Sequence, residues 1–273
     1  MIEILKAIIL GIVEGITEWL PISSTGHIIL VDELIKLNVS DEFMSMFKIV
    51  IQLGAILAVV VLFWNDIFPF EKREGKVALN KEKFSLWGKI IIACIPAALI
   101  IPFDDVFEEM FHKPIPIALA LIIVGILFII VENRNKDKVP KVNDVKSISY
   151  KIAFYIGVFQ LFAGIFPGVS RSGSTILGGI LLGLSRTVAA EFTFYLAIPV
   201  MFGASFLKLL KFGFAFTSFE LMILLVSSIV SFVVSILTIK FLLSYVKRHD
   251  FKVFGWYRIA LGLIVILYFT FLK

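Results

Sequence analysis

One cysteine, Cys94, stands in 273 residues, and it lies inside an apolar run. A single thiol excludes an intramolecular disulfide and a thiolate metal site, and it leaves the redox compartment unread. As a residue it reads as a small buried hydrophobe. Histidine is nearly as scarce, at three, and neither a His-x-x-x-His nor a Cys-x-x-Cys pattern occurs. Of the three, His112 and His249 fall in loop-like segments and read as solvated. Charge is sparse too: 17% of residues are charged, against 59% hydrophobic and 28 phenylalanines, for a mean hydropathy of +1.00. So few charges cannot cover that much apolar surface in water, which excludes a soluble domain. The net charge of +5 does not point to nucleic acid, because Lys and Arg gather between apolar runs, the usual footprint of membrane topology.

What the chain does have is long apolar runs, at 43–64, 85–103, 115–131, 188–210, 219–245 and 253–272. Most reach the ~20 residues that a helix needs to cross a bilayer core. Backbone groups in lipid must be satisfied internally, and runs of this length are too long for barrel strands. The fold class is therefore an all-α polytopic membrane protein. Lys6 with the run 7–13 imitates a signal peptide, but Glu14 and Glu18 interrupt it and no small-residue cleavage site follows, so it is read as part of the mature chain.

Loops 65–84, 132–149 and 246–252 carry the Lys and Arg excess and are assigned to the cytoplasm. The segment between 85–103 and 115–131 is acidic (Asp104, Asp105, Glu108, Glu109) and suits the outer side. Threading the chain through these constraints leaves residues 1–37 and 150–185 as two interrupted helical pieces, each with both ends on one face. Each is drawn as a re-entrant hairpin whose polar tip reaches the midplane, where irregular backbone is tolerated only against protein or a watery cavity. A shift of 146 residues lays "GIVEGITEWLP" (11–21) over "GVFQLFAGIFP" (157–167), matching Gly11 with Gly157, Glu14 with Gln160 and Pro21 with Pro167. Two identities also arise by chance between apolar stretches. The larger pattern, a hairpin plus three spans in 1–131 and again in 150–273 with 132–149 as linker, predicts two inverted-topology repeats around a midplane site.

The first tip, "PISSTGH", follows Glu14 and Glu18, which are four apart and share a helix face with Gly11 and Gly15. Each ionised carboxylate at the bilayer centre costs roughly 3 kcal/mol, unless it sits at the interface and is solvated. Ser23, Ser24 and Thr25 are natural helix caps and interhelical glue. His27, three residues after Ser24, adds the minimum for an activated hydroxyl nucleophile. The second tip, "PGVSRSGST" (167–175), sets Arg171 among Ser170, Ser172, Gly168, Gly173 and Thr175. A buried arginine demands an anion. That anion is either Glu14 or Glu18, or a phosphate cradled by backbone N–H groups and hydroxyls. Both tips open half-helices whose positive ends attract anions. Gln52 lines the site or bonds across helices, and Glu191 orients a site group or sits at the interface beside Arg186. Two glutamates could also hold a hard divalent cation bridged to substrate phosphates.

"GIVEGITEWLPISSTGHIILV" and "PGVSRSGSTILGG" resemble the two signature motifs of the undecaprenyl-diphosphate phosphatase family, the bacitracin-resistance phosphatases, and "EFTFYLAIPVMFGA" (191–204) is similar to a further stretch of it. The similarity runs over essentially the whole chain. It implies a multi-pass hydrolase of the bacterial cell (inner) membrane that removes the terminal phosphate of undecaprenyl diphosphate and returns the lipid carrier for cell-wall synthesis. It implies catalytic roles for Glu14, Glu18, Ser24, His27 and Arg171, with Ser170 and Ser172 flanking the arginine, and an activity associated with a divalent cation such as Mg2+ or Ca2+. Ser24 would attack the terminal phosphorus with His27 or Glu18 accepting its proton, or water would attack directly. The lipid bilayer and a polyprenyl diphosphate are the partners. A homodimer is compatible with a sequence that does not fix oligomeric state. The rival from another class is a carrier or flippase for polyprenyl phosphate or another anion, since broken helices at the midplane are also transporter architecture.

Overall fold

Short polar side chains start most of the helices. Ser23, Ser40, Asn80, Ser149, Ser170, Ser185 and Thr217 each accept a first-turn N–H, which satisfies a donor that the helix itself leaves free. The computed structural model describes residues 2–73, 76–213 and 216–271. In chain order the helices are α1 (Ile2–Thr17), α2 (Ser24–Ile35), α3 (Asp41–Val50), α4 (Gln52–Leu62), α5 (Trp64–Ile67), α6 (Lys81–Ala98), α7 (Asp104–Phe111), α8 (Pro114–Asn135), α9 (Tyr150–Ile165), α10 (Arg171–Leu181), α11 (Arg186–Phe212), α12 (Ser218–Val246) and α13 (Lys252–Phe271).

Six helical stretches are long and apolar enough to cross a membrane: Asp41–Leu62, Lys81–Phe103, Pro114–Asn135, Arg186–Phe212, Ser218–Val246 and Lys252–Phe271. They coincide with the six apolar runs, extended at most ends by polar caps. Their outer faces are made of large apolar side chains. On α12, Leu225, Ile229, Val233, Leu237 and Phe241 form an exposed stripe at i, i+4 spacing, while Ser227, Ser231 and Ser235 are buried on the opposite side. That is the reverse of a water-facing helix and the expected distribution for one bathed in lipid. The chain is a multi-pass α-helical membrane protein.

Two features depart from the reading of the sequence. The helix over Asp41–Leu62 has one irregular turn at Ile51, close to where the Ser205 hydroxyl of α11 donates to the Ile49 carbonyl at 3.1 Å. The loop 65–84 holds an antiparallel two-stranded ribbon, β1 (Phe70–Arg73) with β2 (Lys76–Leu79), so the fold is helical but not purely so. The acidic segment forms α7, but the side chains of Asp104, Asp105 and Glu108 lie outside the described residues.

Two helix–break–helix units position the polar tips. In each, the first helix has 16 residues, a proline follows, and a serine in the left-handed region caps the second helix: Ser23 at φ 74° and Ser170 at φ 70°. An L-residue held there is strained by about 1–3 kcal/mol, which the surrounding packing must maintain. The breaks differ slightly: Ser170 lies three after Pro167 where Ser23 lies two after Pro21, and residues 166–170 separate the second pair of helices where 18–23 separate the first. Gly11 lets α1 press against α12, where a Cβ would stand 2.6 Å from the Ser227 carbonyl oxygen. Gly157, its counterpart at the 146-residue shift, does the same for α9 against α6 at Ala93. Contacts advance in the same direction along both pairs (Gly11 to Gly15 with Ser227 to Ser231, Gly157 to Gly164 with Ala93 to Ile100), so both run parallel. The helices α8 and α13 pair antiparallel, Gly125 against Gly255 and Gly262 against Ala118.

Candidate active site

Pro21 and Pro167 lie in the two breaks, past the ends of the first helices at Thr17 and Ile165. What joins them is Arg258 of α13, which is 0% exposed. Its guanidinium donates to the Pro21 carbonyl (3.0 Å) on one side and to the Gly168 (2.6 Å) and Val169 (2.9 Å) carbonyls on the other. No carboxylate is among its hydrogen-bond partners, so a buried positive charge sits directly behind both tips, held by carbonyl dipoles. Gly173 leaves the room for it, since a Cβ there would lie 3.1 Å from Arg258 Nη1. Gly168, at φ 96°, turns the chain where a side chain would meet the Ile117 backbone. Both glycines thus shape the tip and its clamp.

In front of the clamp, Glu18 is the shared partner. Its Oε1 accepts from Arg171 Nη2 at 2.8 Å and its Oε2 accepts from the Ser24 hydroxyl at 2.7 Å. The ion pair is largely sheltered, so removing either member would strand a charge at a cost of about 3–5 kcal/mol. Arg171 also donates to the Thr193 carbonyl (3.1 Å) and lies over the Trp19 ring, 5.9 Å from its centroid. Thr175 binds the Arg171 carbonyl at 2.9 Å and the Thr193 hydroxyl at 2.8 Å, while Ser172 donates to the Glu18 carbonyl at 3.1 Å. Ser170 caps α10 through Gly173 N and touches the Ser172 hydroxyl at 3.1 Å. The two units therefore meet side chain to side chain; Arg171 Nη2 also meets Met201 Sδ at 3.8 Å, and among the described residues its Nε–H has no hydrogen-bond partner.

The Ser24–His27 contact expected from their spacing is not made. Because Ser23 caps α2, its carbonyl takes His27 Nδ1 at 2.7 Å, and His27 Nε2 meets the Tyr257 hydroxyl at 2.6 Å with the rings parallel. The proton then sits on Nδ1 and the Tyr257 O–H donates to Nε2. Ser23 itself accepts from Gly26 N, and Thr25 follows in the first turn of α2. Glu14 is 0% exposed, one turn before Glu18, and among the described residues neither of its oxygens has a hydrogen-bond partner; Gln160, its counterpart in the other unit, is likewise buried and unpartnered among them. Gly15 makes room for α12, not for a ligand. Gln52 opens α4 half-buried and without a side-chain hydrogen bond among the described residues. Glu191 is half-buried in α11 and makes no hydrogen bond or ion pair with a tip residue among the described residues.

Thr193, Tyr257 and Arg258 were missed by sequence reasoning. A signal existed for Arg258: it is an arginine inside an apolar span, the same anomaly that marked Arg171. Among the described residues no three His, Cys, Asp or Glu converge as a ready cation cage. The orphaned Glu14 oxygens are the donors that fit a hard cation, which would complete its shell with water and ligand oxygens.

The family whose profile matches residues 7–264 is described as bacitracin resistance protein BacA. Among curated relatives, the undecaprenyl-diphosphatase of Desulfitobacterium hafniense is 64% identical over 99% of this chain and 97% of its own length. Those of Acetivibrio thermocellus (62%, covering 98% of each chain) and Enterococcus faecalis (59%, covering 97% of each) carry the same name. With a profile spanning almost the whole sequence and relatives this similar from end to end, the chain belongs to the bacitracin resistance protein BacA family.

Proposed function

We propose that the protein hydrolyses undecaprenyl diphosphate to undecaprenyl phosphate and inorganic phosphate in the bacterial cell membrane, returning the lipid carrier for cell-wall synthesis. The observation that carries this reading is Glu18 bridging the Ser24 hydroxyl and the Arg171 guanidinium at the meeting of two helix N-termini. A nucleophile, a proton acceptor and a fork for phosphate oxygens then stand within one hydrogen-bonded chain.

In this mechanism Ser24 Oγ attacks the terminal phosphorus in line and its proton passes to Glu18. The bond from phosphorus to the bridging oxygen breaks, and undecaprenyl phosphate leaves. Water then cleaves the phosphoseryl ester, giving inorganic phosphate and restoring the hydroxyl. Arg171, the N-termini of α2 and α10 and the charge of Arg258 stabilise the transferring phosphoryl group, where most catalysis of this chemistry lies. Glu18 is favoured over His27 as base because both nitrogens of His27 are engaged elsewhere. A divalent cation held by Glu14 would neutralise charge on the diphosphate.

The two helix–break–helix units act as re-entrant hairpins of inverted repeats in this reading. Support comes from their equal first helices, their left-handed serine caps and the reciprocal pairing of α1 with α12 and α9 with α6. The test is phosphate release from undecaprenyl diphosphate by purified protein in detergent, with acid-quench trapping of labelled phosphate on Ser24. Release with label on Ser24 supports the covalent route, release without label favours direct water attack, and flux in liposomes without any release identifies a carrier instead.

A further inference from the structure

The basic loops line a cavity away from the tips. Its volume is about 600 Å3, and it lies where the linker after α8 crosses the turn between α10 and α11. The wall is fixed: the N–H groups of Lys141 and Val142 donate to the Gly183 carbonyl (2.8 and 3.1 Å), and Ser185 N donates back to Val142 (2.9 Å). Gly183 takes φ 93° to make this turn. Helix α10 has 11 residues, with Arg171 at one end and this cavity at the other, so the two sites are separated by roughly 16 Å.

The lining is strongly cationic. Lys136, Lys138, Lys141, Lys247 and Arg186 face it, and Glu132 is its one carboxylate. Glu132 is already spoken for: Arg186 binds it through Nε and Nη2 (3.0 and 2.6 Å), and Phe251 N donates to it at 3.0 Å. The four lysines are exposed and make no ion pair among the described residues. Helix α11 adds the positive end of a 27-residue dipole at Arg186. Beside the charges stands an apolar lip, with Val139 86% exposed and Leu181 51% exposed. Free phosphate has no use for that lip, whereas a lipid has both an anionic head and apolar chains.

We propose that this cavity binds the phosphate of an anionic phospholipid headgroup, with the four lysines around the phosphodiester and Val139 and Leu181 against its acyl chains. Basic pockets between membrane helices, on the face that carries the Lys and Arg excess, are built for such headgroups. The site is independent of the catalytic reading, since no tip residue contributes to it.

Full-length protein in mixed micelles of phosphatidylglycerol or phosphatidylcholine tests this, with retained lipid counted by native mass spectrometry. One variant carries Lys136→Gln, Lys138→Gln, Lys141→Gln and Lys247→Gln. A charge-matched control carries Lys72→Gln, Lys76→Gln, Lys81→Gln and Lys151→Gln, all exposed and outside the cavity. The wild type and the control should retain phosphatidylglycerol over phosphatidylcholine, and the cavity variant should lose ~10-fold or more of that preference. Equal retention of both lipids by the wild type overturns the proposal, as does a control that loses as much as the cavity variant. Binding of inorganic phosphate at millimolar concentration, with the same lysine dependence but no phosphatidylglycerol preference, would reassign the cavity to free phosphate.

Discussion

Glu18 has two neighbours that want different things from it. Arg171 needs a counter-charge and, in the proposed mechanism, Ser24 needs a base; both contact this one carboxylate, whose two oxygens point to different units of the chain. Glu18→Gln keeps the size and one acceptor but removes the charge. Phosphate release should fall by ~10²–10⁴-fold, measured as kcat in detergent, with the protein still folded. Arg258 makes a different prediction, because its partners are carbonyls of the tips and not groups that react. Arg258→Ala leaves buried carbonyls without donors, at about 1–3 kcal/mol each, and should lower the thermal midpoint and the activity together. Arg258→Lys keeps the charge but cannot span both tips, so kcat should drop far more than the midpoint. Glu14, Glu18 and Arg171 were legible as anomalies, since charged groups are costly in lipid, whereas Ser24 read equally well as a helix cap. The role of His27 was not legible from its spacing to Ser24: the left-handed Ser23 directs the imidazole back to its own carbonyl and on to Tyr257, 230 residues away.

At the scale of elements, apolar run length and positive loops were enough to locate all six spans, because a lipid environment leaves a helix few alternatives. The irregular turn at Ile51 was invisible. Beside it Ser205, a residue 156 positions away, reaches across to the Ile49 carbonyl. The ribbon 70–79 was hidden for another reason: it is a short charged hairpin with no apolar alternation for a sequence to display. The glycines of α1 and α9 were visible only as small residues, and their work is close packing against a specific partner. Gly11→Ala should push α1 off the Ser227 carbonyl and destabilise the protein by about 1–3 kcal/mol, read as a lower melting midpoint in detergent. Gly157→Ala should do the same to α9 against α6. The shared penalty would reflect their equivalent places in the two units.

For the molecule as a whole, the outside is oily and the inside holds the polar groups. Leu225 through Phe241 on α12 face outward while Ser227, Ser231 and Ser235 face in. Ile229→Arg places a charge on that outer stripe and should cost roughly 2.5–3.5 kcal/mol of insertion free energy, seen as reduced membrane-inserted protein. In the proposed mechanism neither tip works alone. Ser24 and Glu18 come from one unit, Arg171 from the other, and Arg258 of the last helix fastens the two breaks together.

A mutant cycle on Ser24 and Arg171, followed by phosphate release from undecaprenyl diphosphate in detergent, asks whether the two tips are one active site. Ser24→Ala and Arg171→Ala should each lose ~10³-fold or more in kcat/KM, and the double variant should be scarcely worse than either, because groups that act as a unit are not additive. Wild-type turnover in Ser24→Ala, or losses that multiply in the double variant, would contradict a single site shared between the two units.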